Sequence, residues 1–384
     1  MSTQVWRSTK GRIYADESVY RQIDHTLNCC RFIYNHMIDR SNKVYERRGE
    51  HLAYNDMQNL LPKMKKYLPW LKEADSQALT NACRRVDAAY QSYFKRRTGR
   101  PKFHSKRGRQ SYTTTNSKTI RVCDGKVLIP KLGWIKVRGL RNLPEGAGIC
   151  YATISREPDG KYYVSVTYKY ETAIEKPEFE ESGFIGIDYK AGGLYVDSNG
   201  NEVKVPRWFS ESQAKLKREQ QRLARKVGNN NGERKSNSFI KQQRKVARIN
   251  KKITNQRIDY LHKLSAELAR TTSGVAAEDI NIKALPNESA LNGRNDLRNG
   301  YGMLREMLKY KLEAQGKPYA EVDRFYPSNR VCSICGHEND DLKSLSKRIW
   351  QCPKCGAVHD RNVNAAKNIR REGLKAISKS EVAS

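Results

Sequence analysis

Near the C-terminal end the chain reads Cys332-x-x-Cys335, then 16 residues, then Cys352-x-x-Cys355. No other feature constrains the fold so tightly. Each pair closes a tight turn that aims two thiolates at one point, and Gly336 and Gly356, directly after the second cysteine of each pair, relieve the turn. Four thiolates saturate a tetrahedral ion and leave no open position for water, so the predicted centre is a structural zinc (Zn). A redox pair or disulfides are the competing reading. The other five of the nine cysteines (Cys29, Cys30, Cys83, Cys123 and Cys150) follow no pattern and read as buried thiols of a reducing compartment, which weighs against it.

The second constraint is charge. Lys and Arg number 73 against 41 Asp and Glu, a formal net charge of +32, while 38% of residues are hydrophobic and recur in periodic blocks. That apolar share excludes a disordered polycation and predicts a chain that buries a core, divided into two or three domains. No stretch approaches the roughly 18 apolar residues of a membrane span, and Met1 to Arg12 carries no signal-peptide core. The expectation is a soluble cytoplasmic, nucleoid-associated protein with no membrane partner. A surface this basic calls for a polyanion, and 21 Tyr against 8 Phe supply flat rings with a polar tip, suited to stacking on bases.

Along the chain, Arg12-Ile13-Tyr14 alternates as a strand. From Ser18 to Arg97 the period is helical, with Leu27, Phe32, Ile33 and Met37 on one face and Ala78, Ala82, Val86, Ala89 and Tyr93 on another; Pro62 and Leu68-Pro69-Trp70-Leu71 mark turns. Residues 99–109 form a basic loop. From Ser111 to Tyr170 short alternating or β-branched runs predict a small β-barrel, joined by the N-terminal strand, so that the helical block is an insertion into it. Pro177 to Glu181 reads as an acidic linker. Beyond it lie strands at Gly183–Asp188, Leu194–Asp197 and Glu202–Val205, then two basic helices at about 211–227 and 238–270 joined by a turn at Asn229 to Gly232. The second carries a stripe of Ile249, Ile253, Tyr260, Leu264 and Leu268. A strand (Val275–Ile280), a helix (Leu297–Gln315), a strand (Tyr319–Phe325), the cysteine segment, a helix (Asn362–Ala376) and a frayed tail complete the chain.

Acidic residues are scarce, so those on apolar strands are informative. Phe184-Ile185-Gly186-Ile187-Asp188 and Gly274-Val275-Ala276-Ala277-Glu278-Asp279 each end a buried-type strand with a carboxylate, which is costly unless paired or metal-bound. Two such carboxylates, with a third from the last helix, are the hard oxygen ligands that magnesium-assisted (Mg) phosphodiester hydrolysis requires.

Gly186-Ile187-Asp188-Tyr189, Glu278-Asp279-Ile280-Asn281, Phe325-Tyr326-Pro327-Ser328, the two Cys-x-x-Cys pairs and His359-Asp360-Arg361-Asn362-Val363-Asn364-Ala365-Ala366-Lys367-Asn368-Ile369 resemble, in this order, the motifs of TnpB proteins. These are RNA-guided nucleases of insertion sequences related to type V CRISPR effectors, and Cys29 to Asn35 is similar to their N-terminal helix, so the likeness covers nearly the whole chain. It implies an α+β multidomain protein. The parts are a β-barrel wedge domain (1–20 and 98–175), a helical recognition insert (21–97), a RuvC-like nuclease domain of the RNase H fold (182–327 and 359–376), an inserted zinc ribbon (328–358) and a disordered tail (377–384).

The resemblance implies an Mg-dependent endodeoxyribonuclease with Asp188 and Glu278 as ligands. Its partners would be a guide RNA and target double-stranded DNA bearing a short flanking motif, bound by a monomer. One position departs from the pattern: relatives read Asp-Arg-Asp, and the second Asp is Asn362 here. Three readings follow. Asp360 supplies the carboxylate instead, or Asn362 sustains slow cleavage, or the protein has become an RNA-guided DNA-binding repressor. Expected phosphate contacts are Arg84, Arg85, Lys95, Arg96, Arg97, Arg100 and Lys102, with Tyr90 and Tyr93 available for stacking, though Tyr93 also fits the core stripe. The two basic helices add Lys217, Arg218, Arg222, Arg225, Arg244, Lys245 and Arg248. Arg361 and Lys367 are expected to steady the scissile phosphate, and His359 to cap the cysteine segment or lie on its surface.

Overall fold

The computed structural model describes residues 2–106, 110–115, 117–190, 193–204, 206–226, 236–279, 298–343 and 348–382. The expected turn at Asn229 to Gly232, the positions Ile280 and Asn281, and the loop end at Arg109 lie outside the described residues. The chain divides into two compact units, Met1–Ala173 and Ile174–Ser384.

In the first unit, strand β1 (Ser2–Tyr14) leads into helices α1 (Glu17–Arg48), α2 (Tyr54–Tyr67) and α3 (Ser76–Phe94), followed by β2 (Gln110–Thr114), β3 (Arg121–Cys123), β4 (Lys126–Ile129), β5 (Gly133–Arg138), β6 (Gly148–Arg156) and β7 (Tyr162–Ala173). The strands form one antiparallel sheet in the order β2-β6-β7-β1-β5-β4-β3. β1 lies at its centre, paired along nearly its whole length with β7 and at its end with β5, so the three helices are inserted between a central strand and an edge strand. The barrel expected from the sequence is an open sheet here: β2 and β3 are its two edges and do not pair. Alternation alone cannot distinguish the two, because closure depends on register and shear rather than on pattern. Pro62, expected in a turn, lies inside α2. Burial of Met57 and Leu61 on that helix outweighs the lost backbone hydrogen bond.

The second unit holds a five-stranded sheet of β8 (Phe184–Tyr189), β9 (Gly193–Asp197), β10 (Glu202–Lys204), β11 (Gly274–Glu278) and β12 (Tyr319–Val322), in the order β10-β9-β8-β11-β12. The first three run antiparallel, and β11 and β12 run parallel to β8. Between β10 and β11 come α4 (Arg207–Arg225) and α5 (Asn237–Thr271), and between β11 and β12 comes α6 (Arg298–Glu313). After β12, the short strands β13 (Ile349–Gln351) and β14 (Val358–Asp360) pair as a hairpin, and α7 (Arg361–Val382) ends the chain.

Side chains on a strand alternate between faces, and here the alternation assigns the layers. Ile185, Ile187, Val275 and Ala277 pack with Leu261 of α5 and with Tyr301, Leu304 and Leu308 of α6. Phe184, Ala276, Ala320 and Val322 pack on the other face with Ile369, Leu374 and Ile377 of α7. The tail expected from residue 377 is therefore helical to Val382, held by the Ile377 contact. In α5 the buried line is Ile253, Arg257, Leu261, Ser265 and Ala269, offset by one residue from part of the expected stripe, since the helix packs first on α4 and then on α6.

Candidate active site and metal centre

β8 and β11 pair in parallel up to Ile187 opposite Ala277, so the next residues along each strand, Asp188 and Glu278, emerge side by side. By the same alternation both share a face with Phe184, Gly186 and Ala276, the face covered by α7. Asp188 is 4% exposed. Burial pushes its carboxyl well above the usual carboxylate range, the Glu278 charge adds to this, and Arg361 with the Tyr189 backbone N–H pulls the other way. Glu278 is pushed up to about 7 by burial, against the pull of Arg305, with Asp279 adding to the rise. The neighbouring Asp279 is already satisfied: Arg305 and Arg324 both donate to it and hold its carboxyl low. Glu278 is thus the acid of that pair left facing the centre.

Helix α7 crosses this face close to β8. Arg370 Nε donates to the Phe184 carbonyl at 2.7 Å, and a Cβ on Gly186 would stand 2.2 Å from the Ala366 carbonyl oxygen and 2.4 Å from the Arg370 nitrogen. Gly186 is therefore a condition for this approach. Ala366 and Arg370 both meet Gly186, and Gly373 meets Phe184 and Ala276, so α7 runs antiparallel to β8 and its first turn lies toward the Asp188 end of the strand. The Arg361 charge acts on Asp188 there.

Asp360 has a different position. As the residue before α7, it accepts from the backbone N–H of Asn362 (3.0 Å) and Val363 (3.2 Å) and from Arg348 Nε at 3.1 Å. It caps the helix. Partial burial works against its ionised form, but those donors hold its carboxyl below the ordinary value. The strand register brings Asp188 and Glu278 together, Asn362 stands in the first turn of α7, and Asp360 is turned into the cap of that helix. The buried Asp188 and the half-buried Glu278 supply hard carboxylate oxygens of the kind that suit a divalent cation such as Mg. Of the expected phosphate-steadying residues, Lys367 is exposed and Arg361 is buried. Arg305, on α6 and outside every motif, carried no signal in the sequence.

The four cysteines converge as their spacing predicts: their sulfurs lie within 4.8 Å of one another, with Cys332 to Cys355 at 3.7 Å and Cys335 to Cys352 at 3.6 Å. A tetrahedral zinc with Zn–S bonds of about 2.3 Å needs sulfurs about 3.8 Å apart. Among the described residues this is the one group of three or more His, Cys, Asp or Glu whose ligand atoms converge. The two knuckles repeat one another. In each, the first cysteine's carbonyl accepts from the following glycine N–H (2.9 Å), and its own N–H donates to the residue beyond that glycine at 2.8 Å. Gly336 (φ 74°) and Gly356 (φ 75°) are left-handed, as the turn demands. His359 is buried, with its Nε2 3.1 Å from Cys332 Sγ and its ring against Trp350. It is an inward partner of the Cys332 sulfur rather than a surface residue.

The expected phosphate contacts fall into two groups. Lys95, Arg96, Arg97, Arg100 and Lys102 form an exposed run beyond α3, interleaved with exposed Phe94 and Phe103. Arg84 lies over the Tyr54 ring, and Arg85 over Tyr34. Tyr90 is buried at 5% and Tyr93 is 38% exposed, the reverse of the expected preference. On α4 and α5, Lys217, Arg218, Arg225, Arg244 and Arg248 are exposed, but Arg222 and Lys245 both pair with the buried Glu219, at 2.9 and 3.1 Å. Gln242 also donates to Glu219, so this acid clamps α4 to α5.

Comparison with known proteins follows this architecture. Residues 1–50 match a family described as "Helix-turn-helix domain", residues 165–288 one described as "Probable transposase", and residues 301–369 one described as "Cas12f1-like, TNB domain". A Streptomyces pristinaespiralis protein named "Putative RNA-guided DNA endonuclease" is 30% identical over 98% of this chain and 91% of its own length. An Escherichia coli protein named "Putative RNA-guided DNA endonuclease InsQ" is 27% identical over 92% and 89%. Among solved structures, the cryo-EM structure of a Cas12f1–sgRNA–target DNA complex aligns over 96% of this chain and 99% of its own, with a TM-score of 0.56 at 12% identity, a likeness of fold. The order of motifs, the α+β architecture and a full-length relative at 30% identity agree: the chain belongs to the TnpB family.

Proposed function

We propose that this protein is an RNA-guided DNA endonuclease of a mobile element, with its cutting site at Asp188, Glu278 and Asn362. The observation that carries the proposal is the juxtaposition of the buried Asp188 with the half-buried Glu278, whose charge opposes ionisation of Asp188, on the sheet face that α7 covers. The sheet order supports an RNase H-type, RuvC-like unit, and the four-cysteine knot supports a structural zinc within it. Asp188 and Glu278, with Asn362, would hold Mg. The ion supplies a water nucleophile at neutral pH and charge neutralisation at the leaving oxygen. The carboxylates must ionise to hold it, and Arg361 favours that at Asp188. Sequence choice is left to pairing between guide RNA and one DNA strand; the open sheet, the helical insert and the basic run 95–102 offer backbone contacts and reading of a short flanking motif. We take the working form to be a monomer on its guide RNA, in the cytoplasm.

A second reading is an RNA-guided repressor that binds without cutting. It is favoured by one observation: Asn362 brings no charge, and Asp360 is committed to the helix cap. Plasmid cleavage with guide RNA and Mg separates the two, comparing the wild type with Asp188→Ala and Asn362→Asp. Cutting by the wild type that Asp188→Ala abolishes is expected. Guide-dependent binding with no cutting, restored by Asn362→Asp, would install the repressor reading instead.

A further inference from the structure

Helix α7 has two working faces. Asn362, Ala366 and Arg370 form the line toward β8. Asn364 and Asn368, two residues on from Asn362 and Ala366, lie about 160° away around the helix at about 100° per residue, and they face the cysteine knot. Both are buried, at 1% and 0% exposure. Asn364 Nδ2 donates to the Val331 carbonyl (2.7 Å), and its Oδ1 accepts from the Ser333 N–H (2.9 Å). Asn368 Nδ2 donates to the Val331 carbonyl (2.6 Å) and the Ser328 carbonyl (2.9 Å), and its Oδ1 accepts from Arg371 at 2.9 Å. The two amides thus grip the backbone on either side of Cys332, the first ligand of the knot.

We propose that Asn364 and Asn368 are positioning residues that couple occupancy of the cysteine knot to the placement of Asn362 and Arg361 over the carboxylates; the consequence for cutting rests on the nuclease reading above. The second knuckle joins α7 through the chain itself, since β14 ends at Asp360. The first knuckle, Cys332 to Gly336, lies well upstream of Asp360 in the chain and reaches α7 through these side chains. Backbone donors and acceptors in so dry an interface tolerate few arrangements. A metal that fixes the turn from Cys332 to Gly336 therefore also fixes Val331 and Ser333, and through them the axial position of α7. Hydrogen bonds on the far face, with the backbone contact at Gly186, carry that position to Asp188. Ordinary interior packing would ask only for apolar residues at these two helix positions, as at Ala365, Ala366 and Ile369.

The test uses the full chain bound to guide RNA, with zinc and after chelation, and reads hydrogen exchange in the first two turns of α7 alongside cleavage. In the wild type, zinc removal should speed that exchange by at least about tenfold and slow cleavage by a similar factor. The Asn364→Ala/Asn368→Ala variant should retain zinc and bind guide RNA, yet exchange fast in α7 already and respond no further to chelation. Should the double variant not fold, Asn364→Ala alone, which leaves Asn368 on Val331, should show an intermediate response. Wild-type α7 exchange indifferent to zinc, or a variant with the full zinc response, would overturn the coupling. A wild type that cuts nothing but loses α7 protection with zinc supports the coupling and overturns the nuclease reading alone.

Discussion

Asp188 and Glu278 ionise at a cost, and the sign of that cost sets a pH dependence. Glu278 sits at about 7 in the fold against about 4.3 unfolded, so the native state binds the proton more tightly than the unfolded chain. Without divalent metal, this group's contribution to stability is then fully present below about pH 4.5, falls as pH rises toward 7 and is lost above it, a change of up to about 4 kcal/mol. Asp188 shifts in the same direction. Thermal melts of the metal-free protein between pH 5 and 8 should show this decline, and Glu278→Gln should flatten it; an equal slope in both would refute the assignment. Mg competes with the same protons, so its half-saturating concentration for cleavage should fall as pH rises to 7. Asn362→Asp adds a third carboxylate in the first turn of α7 and should raise cleavage at limiting Mg by about tenfold or more. Asp188 and Glu278 were legible in the sequence because an acid closing an apolar strand is anomalous by itself. The choice between Asp360 and Asn362 was not, since it depends on where α7 begins and which of its sides meets β8.

Among the elements, α7 is the one whose placement decides the site, and Gly186 is what permits it. A methyl group there meets helix backbone, not a flexible side-chain end, so Gly186→Ala must push α7 off the sheet. The expected cost is about 1–3 kcal/mol, as for other overpacked cores. Cleavage should fall further than stability alone explains, because Asn362 moves with the helix; full activity at an unchanged melting temperature would contradict the contact. The sequence disclosed most elements through their periods, including α4, α5 and the strands of both sheets. It misjudged features that arise only from packing partners. The line of α5 shifted because its two halves meet α4 and then α6. Pro62 stayed helical because Met57 and Leu61 beside it are buried, and the edges β2 and β3 remained apart because periodicity carries no information on closure. The positions of Tyr90 and Tyr93 were exchanged for the same reason: both fit a helical stripe, and the neighbour Asn42, whose Oδ1 accepts from the Tyr90 hydroxyl at 2.7 Å, comes from another helix.

For the whole molecule, the net charge of +32 matters less than which cations are uncommitted. Lys95, Arg96 and Arg97 stand exposed beyond α3, and Arg222 and Lys245 are spent on the buried Glu219. Each phosphate contact releases condensed counterions and adds about 0.7–0.9 to the slope of log K against log salt. If the run beyond α3 tracks a nucleic-acid backbone, replacing Lys95, Arg96 and Arg97 with Ser should lower that slope by about 2–3 for guide RNA or target DNA, and weaken binding irrespective of sequence. Replacing Arg222 and Lys245 with Ala should hardly change the slope. It should instead lower the melting temperature, because Glu219 would remain buried with only Gln242 to satisfy it. Binding titrations over a salt series with both variants decide the matter: equal slope changes would mean that the charge acts as a diffuse field, whereas unequal ones would locate the nucleic-acid path at the residues that the fold leaves unpaired.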